Sequence, residues 1–276
     1  MMEHPAYGAV RPVTAYASVL LARNPDVMTL DGTNTWLVGS PDSADRIVID
    51  PGPADRDHLA LAAERPVSVV LLTHHHPDHT AGARDFAGLT GAPVRALDPA
   101  LCAGAEPLTD GETVEASGVR LRVLATPGHT ADSVCFTVDD PAEPAVFTGD
   151  TVLGKGTTVV AHPDGHLGSY LESLRLLGDL PEGTRVLPGH GPELPDIRAV
   201  SRAYLAHRGQ RLGQIRTVLR EHGPDITARG VVEIVYADVD PAVWPAAEWS
   251  VQAQLTYLRE LEAPDGASSG PQGPSA

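Results

Sequence analysis

The sequence predicts an α+β protein with a strand-rich main domain over residues 1–197, a small helical domain over 198–262 and a disordered tail over 263–276. Three observations lead there. Short apolar runs bounded by Gly, Pro, Asn and Asp fill the first two thirds of the chain, as strands and turns do. Four of these runs, ending at Leu72, Leu124, Phe147 and Leu187, are followed within a few residues by His or Asp. Beyond about Asp196 the apolar residues take up helical spacing instead.

Taken in order, Ala17–Leu21 and Thr35–Val38 are short apolar strands flanking the turn signals Asn24-Pro25-Asp26 and Asp31-Gly32. Arg46–Asp50 is a strand stopped by Pro51-Gly52-Pro53, and Asp57–Glu64 has the spacing of a short helix. Val67–Leu72 is nearly all apolar, as a strand covered on both faces should be. A helix is predicted over Thr80–Leu89 and a strand over Pro93–Leu97. Thr113–Glu115 and Val119–Leu124 form a hairpin turned at Ser117-Gly118. Ser133–Val138 and Ala145–Phe147 are strands, Tyr170–Leu177 a helix and Arg185–Leu187 a strand. Arg198–His222, Ile226–Tyr236 and Pro241–Leu261 make three helices. The tail is rich in Gly, Ser and Pro and has nothing apolar to bury beyond alanine.

Composition narrows the function classes. The net charge is −16, almost all of it in residues 1–197, where 12 Lys/Arg face 27 Asp/Glu. Duplex DNA binding needs basic surface and is not expected. Two cysteines with no Cys-x-x-Cys spacing read as free thiols in a reducing compartment. No run approaches the ~18 apolar residues of a membrane span, and no secretion signal is evident. A cytoplasmic protein is expected.

The stretch Thr73-His74-His75-His76-Pro77-Asp78-His79 crowds four histidines and an aspartate behind an apolar run. By itself it fits either a divalent-metal site or a surface histidine cluster. His129, Asp150 and His190 follow at later strand ends, each directly after a glycine that lets the backbone approach a ligand closely. Seven candidate ligands are too many for one tetrahedral ion and suit two ions sharing a carboxylate. His74 and His76 alternate on an extended segment and so point the same way.

His74-x-His76-x-Asp78-His79 followed by His129, Asp150 and His190 resembles the metallo-β-lactamase superfamily. That resemblance implies a four-layer αββα sandwich with a dinuclear metal site at one edge. It implies His74, His76 and His129 on the first ion, Asp78, His79 and His190 on the second, and Asp150 bridging. Thr29–Val38, Gly149–Gly154, Gly156–Val159 and Pro188–Pro192 are similar to the beta-lactamase-like protein 2 group. Ala206-His207-Arg208, Tyr236-Ala237-Asp238 and Pro245–Glu248 resemble the winged-helix-like appendage of that group, although no strand-turn-strand follows Leu261 to make a wing. The arginine-rich first helix of this appendage is expected to be ion-paired against the acidic main domain.

These implications amount to a metal-dependent hydrolase. Two divalent ions, Zn2+ by preference with Mn2+ or Fe2+ as alternatives, lower the pKa of a bridging water toward ~7 and supply the nucleophile. Asp78 and Asp150 act in catalysis as proton acceptors as well as ligands. The substrate is a phosphodiester, notably single-stranded RNA, or a small thioester or ester of the kind cut by hydroxyacylglutathione hydrolases and polyketide-releasing thioesterases. A β-lactamase and a non-catalytic nucleic-acid-binding regulator rank behind these. His75 points away from the ligands, and His162 and His166 are surface histidines. Lys155, the only lysine, is positioned to meet an anionic substrate, and Asp50 to support a ligand histidine.

Overall fold

The computed structural model describes residues 4–138, 140–160 and 162–262. The first sheet contains β1 (Val10–Pro12), β2 (Ala17–Leu21), β3 (Asn34–Val38), β4 (Arg46–Ile49), β5 (Val67–Leu71) and β6 (Val94–Arg95), side by side in chain order. The second contains β7 (Thr113–Ala116), β8 (Val119–Ala125), β9 (Val134–Val138), β10 (Ala145–Gly149) and β11 (Arg185–Pro188), in the order β11-β10-β9-β8-β7. Each sheet is antiparallel where hairpins join the strands and parallel where a helix crosses over, as at β4–β5 and β10–β11.

Strand alternation explains the layers. Trp36, Val38, Ile47, Ile49 and Leu71 face inward and meet Val123, Phe136, Phe147 and Leu187 of the other sheet. Leu20, Leu37, Val48, Val70 and Leu72 point outward and are covered by Leu59 of α1 (Arg56–Ala62) and Phe86 of α3 (Ala83–Thr90). On the far side Cys135, Val146 and Val186 lie under α4 (Leu167–Gly178) and α5 (Ile197–His222). This is the expected αββα sandwich. The third core continues without a break into α6 (Ala228–Val235) and α7 (Trp244–Glu262), so the helical segment shares apolar packing with the sandwich.

Three details differ from expectation. The helix foreseen over Thr80–Leu89 is two helices, α2 (Pro77–Thr80) and α3, because the Gly82 N–H donates to Gly52 O at 3.0 Å and leaves the helical ladder. Strand β1 went unseen because it contains a proline and is exposed along its length, so it carries no alternation. Among the described residues the α5 arginines form no ion pair with the main domain; Arg208 lies over the Tyr170 ring and Arg211 over the Tyr236 ring. No strand lies beyond Pro188 among the described residues, and the expected tail falls outside them. None of the helices described is long and apolar enough to cross a membrane.

His58 of α1 is buried against β3, where its Nε2–H donates to Thr35 Oγ1 at 2.8 Å, since that hydroxyl itself donates to Asp50 O. Burial lowers the pKa of this imidazole to about 4. The folded state therefore resists a proton that the unfolded chain takes up near 6.5, and stability is lost as pH falls from 6.5 toward 4. His58→Gln should remove roughly 3 kcal/mol of that acid sensitivity. The check is the difference between wild-type and variant unfolding free energies at pH 7 and pH 4.5; parallel profiles would contradict it.

Candidate metal centre

Strand ends at one edge of the sandwich bring the candidate residues together. Leu71 ends β5, and His74, His76, Asp78 and His79 follow on the turn and on α2, whose first residue is Pro77. His129 follows β8, Asp150 follows β10 and His190 follows β11. The two sheets are tied at this edge: Val134 N–H donates to Thr73 O at 2.8 Å, and Asn34 N–H donates to Gly189 O at 2.8 Å. Asn34 Nδ2 adds hydrogen bonds to Pro188 O and Gly191 O.

The seven residues fall into two groups whose ligand atoms lie within 4.8 Å of one another: His74, His76, His129 and Asp150 in the first, Asp78, His79 and His190 in the second. His76 Nδ1 is 3.1 Å from both His74 Nε2 and His129 Nε2. His79 Nε2 is 3.3 Å from His190 Nε2, and His190 Nε2 is 3.1 Å from Asp78 Oδ2. Asp150 reaches both groups, with Oδ2 3.8 Å from His129 Nε2 and 3.3 Å from His190 Nε2, and Oδ1 3.5 Å from His79 Nε2. Its Oδ1 is buried and has no hydrogen-bond partner.

The hydrogen bonds on the far side of each ring set the tautomers. His129 Nδ1–H donates to Val159 O at 2.6 Å, and His190 Nδ1–H to Gly32 O at 3.1 Å. His79 Nδ1–H donates to Asp50 Oδ2 at 2.8 Å. Thr73 Oγ1 donates to Asp50 Oδ2, so it accepts from His74 Nδ1–H at 3.0 Å. Every Nε2 of these four rings then presents a lone pair to the centre. The Nε2 lone pairs of His79 and His190, 3.3 Å apart, repel unless a cation or a proton lies between them, and His76 Nδ1 lies 3.1 Å from the Nε2 atoms of both His74 and His129, so the donor set fits a cation.

A proton is the alternative to a cation between such atoms. Burial alone would favour neutral His190, but Asp150 and Asp78 raise its pKa to about 9. Burial would also raise the Asp150 and Asp78 carboxyls, yet the neighbouring His190 and His79 hold both well below the usual carboxylate range. On the other side, burial and His129 lower His76 to about 4. The imidazoles of the first group are thus neutral, while Asp150, Asp78 and His190 carry charge.

Asp50 takes up the support role expected of it. It sits at φ 51°, a left-handed conformation aspartate tolerates, and its carboxylate accepts from Thr73 N, Thr73 Oγ1 and His79 Nδ1. His75 turns away and pairs with Asp132 at 2.8 Å, as expected. His166 caps α4 and pairs with Glu260 at 2.8 Å, and neither it nor His162 joins the centre. Sequence reading did not find the far wall of the adjoining cavity, formed by Val27, Met28, Leu30 and Leu153, nor the anchoring carbonyl of Val159. Apolar loop residues and backbone atoms leave no chemical signature in a sequence.

The model of the metallo-beta-lactamase superfamily matches residues 28–190, and that of the beta-lactamase associated winged helix domain matches 227–262. The chain is 32% identical to the beta-lactamase-like protein 2 homolog of Drosophila melanogaster, over 91% of this chain and 90% of that one. It is 36% identical to the atrochrysone carboxyl ACP thioesterase of Aspergillus chevalieri, over 82% of this chain and 72% of that one. A solved beta-lactamase domain protein from Burkholderia ambifaria superposes with a TM-score of 0.78 at 22% identity, over 94% of this chain and 90% of that one. With strand-end histidines and aspartates gathered at the rim of an αββα sandwich, the chain belongs to the metallo-beta-lactamase superfamily and carries its associated winged helix domain behind the catalytic fold.

Proposed function

We propose that this superfamily hydrolase cleaves a thioester or similarly activated ester, with two divalent ions held by the seven residues: His74, His76 and His129 on one, Asp78, His79 and His190 on the other, and Asp150 between them. One observation supports the substrate class. The cavity beside the centre, 190 Å³ in volume, runs from His129 and Asp150 to the apolar side chains of Val27, Met28, Leu30 and Leu153. Such a wall suits a short acyl chain. A path for single-stranded RNA needs several cations and stacking rings, whereas among the described residues Lys155 is the only Lys or Arg in the lining and no Phe, Tyr or Trp is there.

Divalent ions, Zn2+ by preference for this nitrogen and oxygen set, lower the pKa of water to ~7 and polarise a carbonyl oxygen. The protein's own part is to orient and to accept a proton. Val159 O, Gly32 O and Asp50 fix the rings so that the lone pairs converge. Asp78 is the more open carboxylate, its side chain 26% exposed against 11% for Asp150, and Thr33 Oγ1 donates to its Oδ2 at 3.2 Å. That leaves Asp78 within reach of water and able to take its proton, with Asp150 the deeper ligand.

The test is metal-loaded protein assayed against an acyl-N-acetylcysteamine thioester, bis(p-nitrophenyl) phosphate and a labelled single-stranded RNA. Thiol release that a chelator abolishes and Zn2+ restores is the expected result. Efficient RNA cleavage without thiol release would instead favour the phosphodiester reading.

A further inference from the structure

Arg208 is 3% exposed and lies in the middle of α5, outside the sandwich strands. Among the described residues no carboxylate pairs with it, and its Nε has no hydrogen-bond partner. A buried cation without a counter-ion is costly to keep, so what its guanidinium does hold is informative. Nη2 donates to the carbonyl of Thr158, and the guanidinium carbon lies 5.2 Å from the centre of the Tyr170 ring. Tyr204, one turn earlier on the same face of α5, accepts from Leu153 N–H at 3.2 Å and donates to Gly156 O at 3.0 Å. Two side chains of α5 therefore grip the segment between Leu153 and Thr158 from outside.

That segment is where two of the candidate ligands are anchored. Thr158 Oγ1 donates to Asp150 O at 2.8 Å, and Val159 O accepts from His129 Nδ1–H at 2.6 Å. Arg208 holds the carbonyl of the residue that makes the first bond and is joined by one peptide unit to the second. The connected run is Arg208, Thr158 and Val159, then Asp150 and His129. Tyr204 grips the earlier part of the segment and touches neither anchoring bond.

We propose that Arg208 is a positioning residue for the metal centre, setting His129 and Asp150 through Thr158 and Val159, so that helix α5 is a structural component of the site. This inference rests on the reading of the seven residues as metal ligands. It makes the helical segment part of the metal-binding machinery, in addition to any partner it docks.

The experiment is chelator-competition titration of the full chain with Zn2+, together with the visible absorption spectrum of the Co2+-loaded protein, for wild type, Arg208→Met, Arg208→Lys, Thr158→Val and Tyr204→Phe. Loss of a bond that orients a ligand weakens metal binding roughly 10- to 100-fold. Arg208→Met and Thr158→Val are expected to lose affinity in that range and to change the Co2+ spectrum. Arg208→Lys, which keeps a donor for the Thr158 carbonyl, is expected to recover part of the loss. Tyr204→Phe is expected to lower the melting temperature while binding metal as wild type does. If Arg208→Met does not fold, Thr158→Val and Arg208→Lys decide by the same two readouts. Wild-type affinity and spectrum in Arg208→Met, or in both other variants, would overturn the inference while leaving the metal reading intact. A wild-type chain that binds no ion would overturn the metal reading and this inference with it.

Discussion

Replacing Asp150 with alanine is expected to lower the bound metal from two ions per chain to one or fewer and to cut metal-dependent turnover on the order of 10³-fold or more. Among the described residues Asp150 is the one side chain whose oxygens approach both histidine groups, within 3.3–3.8 Å of His79, His129 and His190. It supplies no apolar surface to any of the three cores, so the variant should keep its secondary structure and melt cooperatively. Asp78→Ala is the instructive comparison. It removes a carboxylate from the second group only, and should leave an ion on His74, His76 and His129 while turnover is lost. Metal-to-protein ratios measured by plasma emission, beside thiol release, separate the two. Two ions per chain and near wild-type turnover in Asp150→Ala would remove the bridging role.

Gly189→Ala is the second large effect, and it acts through space alone. A methyl group there would sit 2.5 Å from Asp150 Oδ1 and 2.8 Å from His79 Cε1. Neither neighbour can retreat easily, because His79 is pinned by Asp50 and Asp150 is buried. Nor can residue 189 itself, whose N–H donates to Gly149 O and whose carbonyl accepts from Asn34, both at 2.8 Å. Overpacking of this kind costs about 1–3 kcal/mol, and the displaced carboxylate should take metal affinity with it. Gly88→Ala on α3 is the control: nothing lies within 4 Å of its added carbon, and the change should raise stability by roughly 0.5–1 kcal/mol with metal binding untouched. Denaturant unfolding and zinc titration of both variants measure the contrast. Equal behaviour of the two would mean that the crowding at Gly189 is relieved at no cost.

Much of this centre was readable from the chain because its chemistry is carried by side-chain type and its placement by strand termination. Runs such as Val67–Leu72 and Arg185–Leu187 announce themselves by apolarity, and a histidine or aspartate directly after one has a rigid platform beneath it. The division of the seven residues into two sets was implied by the family resemblance and not by strand termination; the structure gathers His74, His76, His129 and Asp150 in one cluster and Asp78, His79 and His190 in the other. Asp50 was legible for the same reason, as an acid at a strand end. The break between α2 and α3 was not, because it depends on Gly82 N–H finding Gly52 O across a turn 30 residues away. The hold of Arg208 on Thr158 is a contact between a side chain and a backbone carbonyl 50 positions apart, so the residue types say nothing of it. For α5, charge counting gave the wrong partner: its arginines meet aromatic rings and carbonyls more than acids.

The hydrogen bonds that join the two sheets at the site edge are few, and the candidate ligands straddle that seam. His79 and His190 come from opposite sheets and are 111 positions apart in the chain, yet their Nε2 atoms are 3.3 Å from each other. An ion between them would act as a cross-link, closing a long loop much as a disulfide does but reversibly and in proportion to the free ion concentration. An ion that binds only the folded chain adds about 1.4 kcal/mol of stability for each tenfold rise in its free concentration above saturation. The melting temperature would then serve as a gauge of metal supply, and in a metal-poor medium the sandwich would begin to open at the rim that carries the candidate ligands.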